Sequence, residues 1–182
     1  MTNKKQRVMF TGGGTSGHVV PNLVMMAHFL SGDKYECIYV GSETGPEKRL
    51  VSEFSKDKKD KEISFYSIQT GKLRRYFSIQ NVMDVLKVFS GVLQSVYLCR
   101  KLKPDVVFSK GGFVSFPVVL GAWLNRIPVV LHESDFSPGL ANKLSFPFAK
   151  TVCTSFEQLE DYLDRCFADG DLICEPYDQE IE

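Results

Sequence analysis

Residues 8–18 read Val-Met-Phe-Thr-Gly-Gly-Gly-Thr-Ser-Gly-His, a short apolar run that passes directly into a glycine-rich turn. A second stretch of this kind, residues 106–113, reads Val-Val-Phe-Ser-Lys-Gly-Gly-Phe. A glycine turn that leaves a buried strand and opens a helix lets backbone N–H groups approach a phosphate, and the helix N-terminus adds partial positive charge. Two such turns predict that a phosphorylated ligand, a sugar nucleotide or a phosphorylated lipid, binds at the carboxyl edge of a parallel sheet.

Short apolar runs alternate with segments of helical periodicity along most of the chain. This alternation, with strands that are apolar on both faces, is typical of an α/β domain with a doubly wound parallel sheet, that is, a Rossmann-like fold. We expect strands at residues 8–10, 37–40, 63–68, 106–108, 129–131, 152–154 and 172–174. We expect helices at residues 21–30, 46–54, 81–102, 117–124, 139–146 and 156–163.

The longest expected helix, residues 81–102, carries an apolar stripe that we expect to pack on the sheet. The residues of the stripe are Val82, Val85, Leu86, Phe89, Val92, Leu93 and Val96. The single tryptophan, Trp123, is likewise expected to be buried, with contact at a membrane interface as the alternative.

A basic segment that ends in two aromatic residues precedes this helix. Its side chains suit contact with anionic lipid headgroups, which attract each Lys or Arg with roughly 1 kcal/mol. A solvated turn is an equally good account of the same residues. The residues are Lys72, Arg74, Arg75, Tyr76 and Phe77.

The formal net charge of the 182 residues is zero, but the charges are unevenly distributed. Residues 1–156 contain 21 Lys and Arg against 12 Asp and Glu, whereas residues 157–182 contain one Arg against ten acids. We therefore expect a basic domain at 1–156, suited to an anionic partner, followed by an acidic C-terminal tail at 157–182. Nothing in the pattern indicates a nucleic-acid partner.

The spacing of the cysteines and the sequence of the N-terminus exclude further classes of protein. The five cysteines are widely spaced without a CxxC motif, so neither a disulfide framework nor a zinc site is predicted. The N-terminus leads straight into a strand without an apolar signal core, and no apolar run approaches the roughly 20 residues of a membrane span. We expect a cytoplasmic protein whose membrane contact is peripheral.

Five stretches in order resemble the MurG family of UDP-GlcNAc-dependent glycosyltransferases (family 28). They are residues 10–22, 67–77, 103–115, 127–135 and 138–143. The resemblance implies the N-terminal, acceptor-binding half of a GT-B glycosyltransferase. It implies transfer of GlcNAc from UDP-GlcNAc to lipid I, the undecaprenyl-diphosphate-linked MurNAc-pentapeptide of peptidoglycan synthesis, at the inner face of the plasma membrane. We expect no cofactor, and we expect no catalytic metal because no His, Cys and Asp cluster has metal-ligand spacing.

The resemblance also implies roles for single residues. His18 and Glu133 are the candidate catalytic residues. A neutral imidazole accepts a proton from a sugar hydroxyl near pH 7, and a helix N-terminus would lower the pKa of His18. The sequence leaves open which of the two is the base. Donor or diphosphate contacts fall on Gly13, Gly14, Thr15, Ser16, Gly17 and Asp135. Acceptor contacts fall on Gly111, Gly112, Phe113 and Asn142.

The resemblance ends near residue 156, and we expect the second GT-B domain to be absent. Residues 157–182 are then either a tail or a remnant of the interdomain crossover. A truncated product, an isolated domain and one subunit of a split enzyme with a separate donor-binding chain all remain open. One alternative function is a non-catalytic acceptor-binding subunit. Another is an NAD-type Rossmann enzyme, since Gly12, Gly14 and Gly17 satisfy GxGxxG, but no acidic residue ends the second strand.

Overall fold

The computed structural model describes residues 4–57, 63–71, 79–156 and 171–174. The strands within these ranges are β1 (Gln6–Thr11), β2 (Tyr35–Ser42), β3 (Ser64–Ile68), β4 (Val106–Ser109), β5 (Val129–Glu133), β6 (Thr151–Thr154) and β7 (Asp171–Cys174). The helices are α1 (Ser16–Phe29), α2 (Glu47–Asp57), α3 (Ile79–Leu102), α4 (Ser115–Leu124) and α5 (Leu140–Ser145), the last followed by a 3₁₀ turn at Phe146–Phe148.

The strands of the described residues form one parallel sheet in the order β3-β2-β1-β4-β5-β6-β7. The predicted doubly wound α/β fold is therefore confirmed. The direction of winding reverses between β1 and β4, and in open parallel sheets ligands bind outside the carboxyl ends of the strands at such a reversal. Thr11 at the end of β1 lies opposite Ser109 at the end of β4, so the two glycine turns begin side by side.

Alternating side chains of the strands feed two core layers, as expected for a sheet covered on both faces. On one face Met9 and Val107 pack with Val118 of α4. On the other face Val8 and Phe10 pack with side chains of α1 and α2. This double coverage explains why the strands read as continuous apolar runs in the sequence.

Helix α1 begins at Ser16, five residues before the start that Pro21 led us to expect. Thr15 is the extended N-cap residue, and Pro21 lies inside the helix. The missing N–H of a proline removes one helical hydrogen bond, which an otherwise well-packed helix tolerates at a cost. The earlier start matters because it places His18 in the first turn of α1, at the carboxyl edge of the sheet.

The expected packing of the α3 stripe is wrong for most of its members. Val92 is buried, but Val85, Leu86, Phe89 and Leu93 have more than half of their surface exposed. Helix α3 instead contacts the core through a smaller face that includes Ser95, Leu98 and Cys99. Small residues allow close approach here, since Gly121 of α4 lies directly against the backbone of Ser95 and Val96. The bulkier stripe therefore points away from the sheet.

Trp123 also departs from expectation, because its side chain is 49% exposed while its ring packs edge-on against Phe148. None of the helices in the described ranges combines the length and the hydropathy that crossing a bilayer requires.

Beyond the expected domain boundary at residue 156, β7 joins the same sheet next to β6. The remaining residues of the acidic segment lie outside the described ranges.

Candidate functional site

The two glycine turns contact each other directly. The N–H of Gly13 donates a hydrogen bond to the carbonyl of Gly111, with 3.2 Å between nitrogen and oxygen. Gly112 packs against the backbone of Gly13 so closely that no side chain fits between them. Gly111 and Gly112 also have φ values of 95° and 90°, which disfavour any residue with a side chain. The turns therefore form one continuous edge above β1 and β4.

A cavity of about 250 Å³ lies between these turns and the loop that joins β5 to α5. The predicted site residues that line it are Gly13, Gly14, Thr15, His18, Gly112, Phe113, Glu133, Asp135 and Asn142. Ser16, Gly17 and Gly111 belong to the same turns but do not line the cavity. Residues separated by more than 120 positions are thus brought to one pocket.

Three helices begin at the edge of this cavity, namely α1, α4 and α5. Their N-cap residues in the described structure, Thr15, Val114 and Gly139, make no side-chain hydrogen bond to the helix ends. The positive ends of these helices consequently contribute to the potential at the cavity, most strongly for the longer α1 and α4.

His18 lies at the cavity with its imidazole oriented by Thr15. The distance from Nδ1 to the Thr15 hydroxyl oxygen is 2.8 Å. When Nδ1 carries the proton and donates to this hydroxyl, Nε2 keeps a free lone pair. Burial lowers the pKa of His18, as does the Lys110 ammonium, while Asp135, Glu133 and Glu47 oppose the decrease. The predicted lower pKa is confirmed, but burial is its main cause.

Glu133, at the end of β5, is buried with both carboxylate oxygens engaged. Oε1 accepts from the N–H of Asp135 at 2.9 Å, and Oε2 accepts from the N–H of Gly139 at 3.3 Å. Oε2 also accepts from Nδ2 of Asn142 at 2.8 Å. These bonds hold the loop between β5 and α5 closed around the carboxylate. The geometry therefore favours His18 over Glu133 as the group free to accept a proton.

Asn142 offers an unsatisfied acceptor at the same place. Its side chain is 4% exposed, and its Nδ2 donates to Glu133, yet within the described ranges no partner reaches its buried Oδ1. This oxygen lies against Gly111 of the second glycine turn. A buried carbonyl oxygen without a partner costs free energy, which a hydroxyl or amide donor of a ligand would recover.

Glu47 is a residue of this site that the sequence analysis missed. It is fully buried beneath the first glycine turn, where Oε1 accepts from the N–H of Gly14 at 2.6 Å and Oε2 from the Ser42 hydroxyl at 3.1 Å. The local sequence identifies Glu47 only as an acidic residue in the first turn of a helix. It contains no signal for the distant hydrogen bond to Gly14.

Two further supports of the turns were also missed. The Tyr39 hydroxyl donates to the carbonyl of Gly12 at 2.7 Å from beneath the sheet edge. Lys110, inside the second turn, donates from Nζ to the Ser134 hydroxyl at 2.7 Å. Lys110 is part of the second quoted glycine motif. A charged residue among small ones was the signal that could have identified it.

Two other predictions concern membrane and metal contacts. The proposed membrane segment, with Lys72, Arg74, Arg75, Tyr76 and Phe77, lies outside the described residues. Across the described ranges, no three His, Cys, Asp or Glu side chains come together as potential metal ligands.

Comparison with known proteins places this fold and site in a family. The profile of the glycosyltransferase family 28 N-terminal domain matches residues 8–154. The chain is 51% identical over 158 residues to the UDP-N-acetylglucosamine–N-acetylmuramyl-(pentapeptide) pyrophosphoryl-undecaprenol N-acetylglucosamine transferase of Legionella pneumophila, covering 87% of this chain and 41% of the relative. An enzyme of the same name, numbered 2, from Bacillus anthracis is 49% identical over 160 residues and is covered to 43%. The chain thus spans about two fifths of these curated relatives.

Solved structures agree on the fold. MurG of Acinetobacter baumannii superposes with a TM-score of 0.71 at 24% identity, covering 97% of this chain and 50% of that one. A UDP-GlcNAc 2-epimerase from Neisseria meningitidis, bound to UDP-GlcNAc, superposes with a TM-score of 0.65 at 14% identity, covering 94% and 46%. At these identities the likeness extends to the fold alone.

The contact between the turns predicts unequal effects of alanine substitutions at glycine. Gly13→Ala places a methyl group on the Glu47 carboxylate, and we expect it to lower the free energy of unfolding by about 2 kcal/mol through loss of the charged hydrogen bond. Gly17→Ala meets only ordinary contact with Thr15 and lies in α1, so its stability should be unchanged or slightly raised. Urea denaturation checks both. Equal losses for the two variants would contradict the tight packing.

Because of His132, on β5 below the cavity, we expect the free energy of unfolding to decrease in acid. Burial, aided by Lys110, lowers its pKa to about 4 from 6.5. Between these values the unfolded chain binds more protons than the folded one, so stability should fall as pH decreases from about 6.5 to about 4. His132→Phe should make this decline shallower in urea titrations at several pH values, the remainder coming from His18. The exposed His28→Gln serves as control, and a wild-type slope in His132→Phe would contradict the expectation.

Proposed function

Because the chain belongs to glycosyltransferase family 28 through its N-terminal domain, we propose that it supplies the acceptor-binding half of a MurG-type N-acetylglucosaminyltransferase. The substrates are UDP-GlcNAc and the undecaprenyl-diphosphate-linked N-acetylmuramyl-pentapeptide, as in the names of its relatives. Because the match is to the N-terminal domain of the family, we assign the chain the acceptor side of the reaction in peptidoglycan synthesis.

The observation that carries this proposal is His18 at a cavity bounded by two touching glycine turns. In an inverting displacement, an acceptor hydroxyl oxygen bonds to the anomeric carbon of GlcNAc while the bond from that carbon to the UDP oxygen breaks. UDP leaves with the bonding electrons, and Nε2 of His18 takes the hydroxyl proton. The lowered pKa of His18 keeps the imidazole neutral and able to accept it.

The carboxylates of the site then support the reaction without accepting the proton. Glu133 accepts two hydrogen bonds from the loop that follows it and a third from Asn142 of α5. It thereby positions Asn142, whose Oδ1 is suited to accept from a sugar hydroxyl or amide. Asp135 is exposed and lines the cavity, and we assign it to donor contact.

The glycine turns and helix ends are suited to diphosphate. The positive ends of α1 and α4 face the cavity, and the first-turn backbone of each helix is not capped by a side chain within the described residues. We place the acceptor diphosphate at Gly111, Gly112 and Phe113, and the donor's at residues 13–17. We assign the remaining nucleotide contacts to polypeptide outside these 182 residues. We assign the chain no cofactor.

The exposed face of α3 supports peripheral membrane binding at the inner face of the plasma membrane. We define the α3 apolar face as Met83, Val85, Leu86, Phe89, Leu93 and Tyr97, each of which is more than half exposed. Trp123 and Leu124 at the end of α4 are also about half exposed. Helix α4 begins directly after the second glycine turn, which lines the cavity. An acceptor whose lipid is bound near α3 and α4 would therefore have its head group close to the cavity.

His18→Ala should reduce transfer of labelled GlcNAc from UDP-GlcNAc to the lipid-linked acceptor by about 10²- to 10⁴-fold, because the general base is removed. The assay uses the 182-residue chain alone and together with extract that contains a donor-binding polypeptide. His28→Ala, on the exposed end of α1, is the matched control and should retain full activity.

Acceptor binding by the same variants separates the alternatives. Binding of the acceptor without turnover under either condition would favour the non-catalytic acceptor-binding subunit. Absence of acceptor binding, or full activity of His18→Ala, would contradict the proposed function.

Membrane binding is tested by flotation with vesicles that contain anionic phospholipid. The double variant Leu86→Gln/Phe89→Gln should bind at least about tenfold more weakly, since each large apolar side chain contributes about 1.5–3 kcal/mol when buried. Val24→Gln, equally exposed on the opposite layer of the sheet, should bind as the wild type does. Equal loss in both variants would exclude a specific role of the α3 apolar face.

A further inference from the structure

Lys110 is a buried cation that links two loops of the site. Its side chain is 5% exposed, and its Nζ donates to the Ser134 hydroxyl at 2.7 Å. Lys110 belongs to the turn after β4, and Ser134 to the loop after β5, so the bond crosses between neighbouring strand ends. Among the described residues Lys110 forms no salt bridge. Burial of an ammonium with one neutral partner is costly, which indicates a role beyond packing.

The charges around His18 show what Lys110 contributes. Three carboxylates act on the imidazole, those of Asp135 and Glu133 from the β5–α5 loop and that of Glu47 from α2. Each carboxylate favours the protonated imidazolium, which cannot accept a proton. Lys110 is the one cation in the described structure that acts against them.

We propose that Lys110 is a positioning residue of this site: from its buried position it ties the second glycine turn to the β5–α5 loop through Ser134, and its fixed positive charge offsets the carboxylates around His18. This role of Lys110 deepens the proposed function. It rests on that function in one respect, because the proposed reaction is what requires His18 to accept a proton. Lys110 itself does not line the cavity, so it acts through His18 and not by touching the reacting atoms.

The electrostatics of neighbouring groups agree with this geometry. After burial, Lys110 is the second cause that lowers the pKa of His18, and it acts in the same direction on His132. Burial also lowers the pKa of Lys110, but the carboxylates of Glu133 and Asp135 oppose that decrease. The same two carboxylates therefore favour the charged ammonium while the ammonium offsets their effect on His18.

The test is an NMR pH titration of the imidazole Cε1–H signals in the 182-residue chain, which has three histidines. His18→Gln identifies the His18 signal, and the exposed His28 is the internal reference. Lys110→Met and Lys110→Gln both remove the charge, and Gln retains a hydrogen-bond donor for Ser134 if Met disturbs the fold. Lys110→Arg keeps the charge, and Ser134→Ala breaks the link while keeping Lys110.

We expect both neutral variants to shift the His18 titration midpoint upward and the His132 midpoint in the same direction. The His18 midpoint of Lys110→Arg should stay close to that of the wild type. Ser134→Ala should shift the His18 midpoint less than the neutral variants do. An unmoved His18 midpoint in Lys110→Gln would overturn the proposal. A shift in Lys110→Arg as large as in Lys110→Gln would also overturn it, since packing alone would then be responsible.

This titration requires no substrate, so its failure is distinguishable from failure of the proposed function. A normal GlcNAc transfer activity with an unmoved His18 midpoint would reject the role of Lys110 alone. A shifted midpoint in a chain without acceptor binding would retain the electrostatic role of Lys110 and reject the transferase assignment.

Discussion

The site depends on one constraint: the backbones of two glycine turns must touch at the carboxyl ends of β1 and β4. The parallel pairing of Thr11 with Ser109 starts both turns at the same level, and the hydrogen bond from Gly13 to Gly111 joins them. Glu47 fixes the first turn from the side by accepting from the N–H of Gly14. A Cβ atom at Gly13 would collide with the Glu47 carboxylate, and one at Gly112 with the backbone of Gly13, so packing requires glycine at both positions. At Gly112 the φ of 90° requires it as well.

This arrangement changes how the glycine turns should be understood. A glycine-rich turn is often read as a set of free N–H groups that surround a phosphate. Here the N–H of Gly13 bonds to the other turn and that of Gly14 to a carboxylate, so these two donors serve the structure. The N-terminal ends of α1 and α4 are then what remains for the anion binding that we propose, and His18 lies beside them against Thr15.

The balance of charges at this edge is unusual for a site proposed to receive diphosphates. Glu47, Glu133 and Asp135 all act on His18, and Lys110 opposes them from a buried position. The carboxylates of Glu47 and Glu133 are consumed by backbone and side-chain donors that shape the loops. Glu47 and Glu133 are therefore part of the scaffold, and His18 is the group to which we assign proton acceptance.

The sequence by itself determined the architecture and much of the site. Continuous apolar runs alternating with helical segments specified a parallel sheet covered on both faces, because strands buried on both sides carry little polar patterning. The glycine motifs and the residues around His18, Glu133 and Asn142 stood at the ends of those runs, where a parallel sheet collects them. The family resemblance covered the same residues.

Only the tertiary structure decided what these elements contact. The bond of Glu47 to Gly14 and that of Lys110 to Ser134 join residues 33 and 24 positions apart, and no local pattern encodes such partners. The outward stripe of α3 was misjudged because periodicity identifies an apolar face but not its direction. That direction was set by small residues of α3 and α4, which pack more closely together than the bulky stripe would allow.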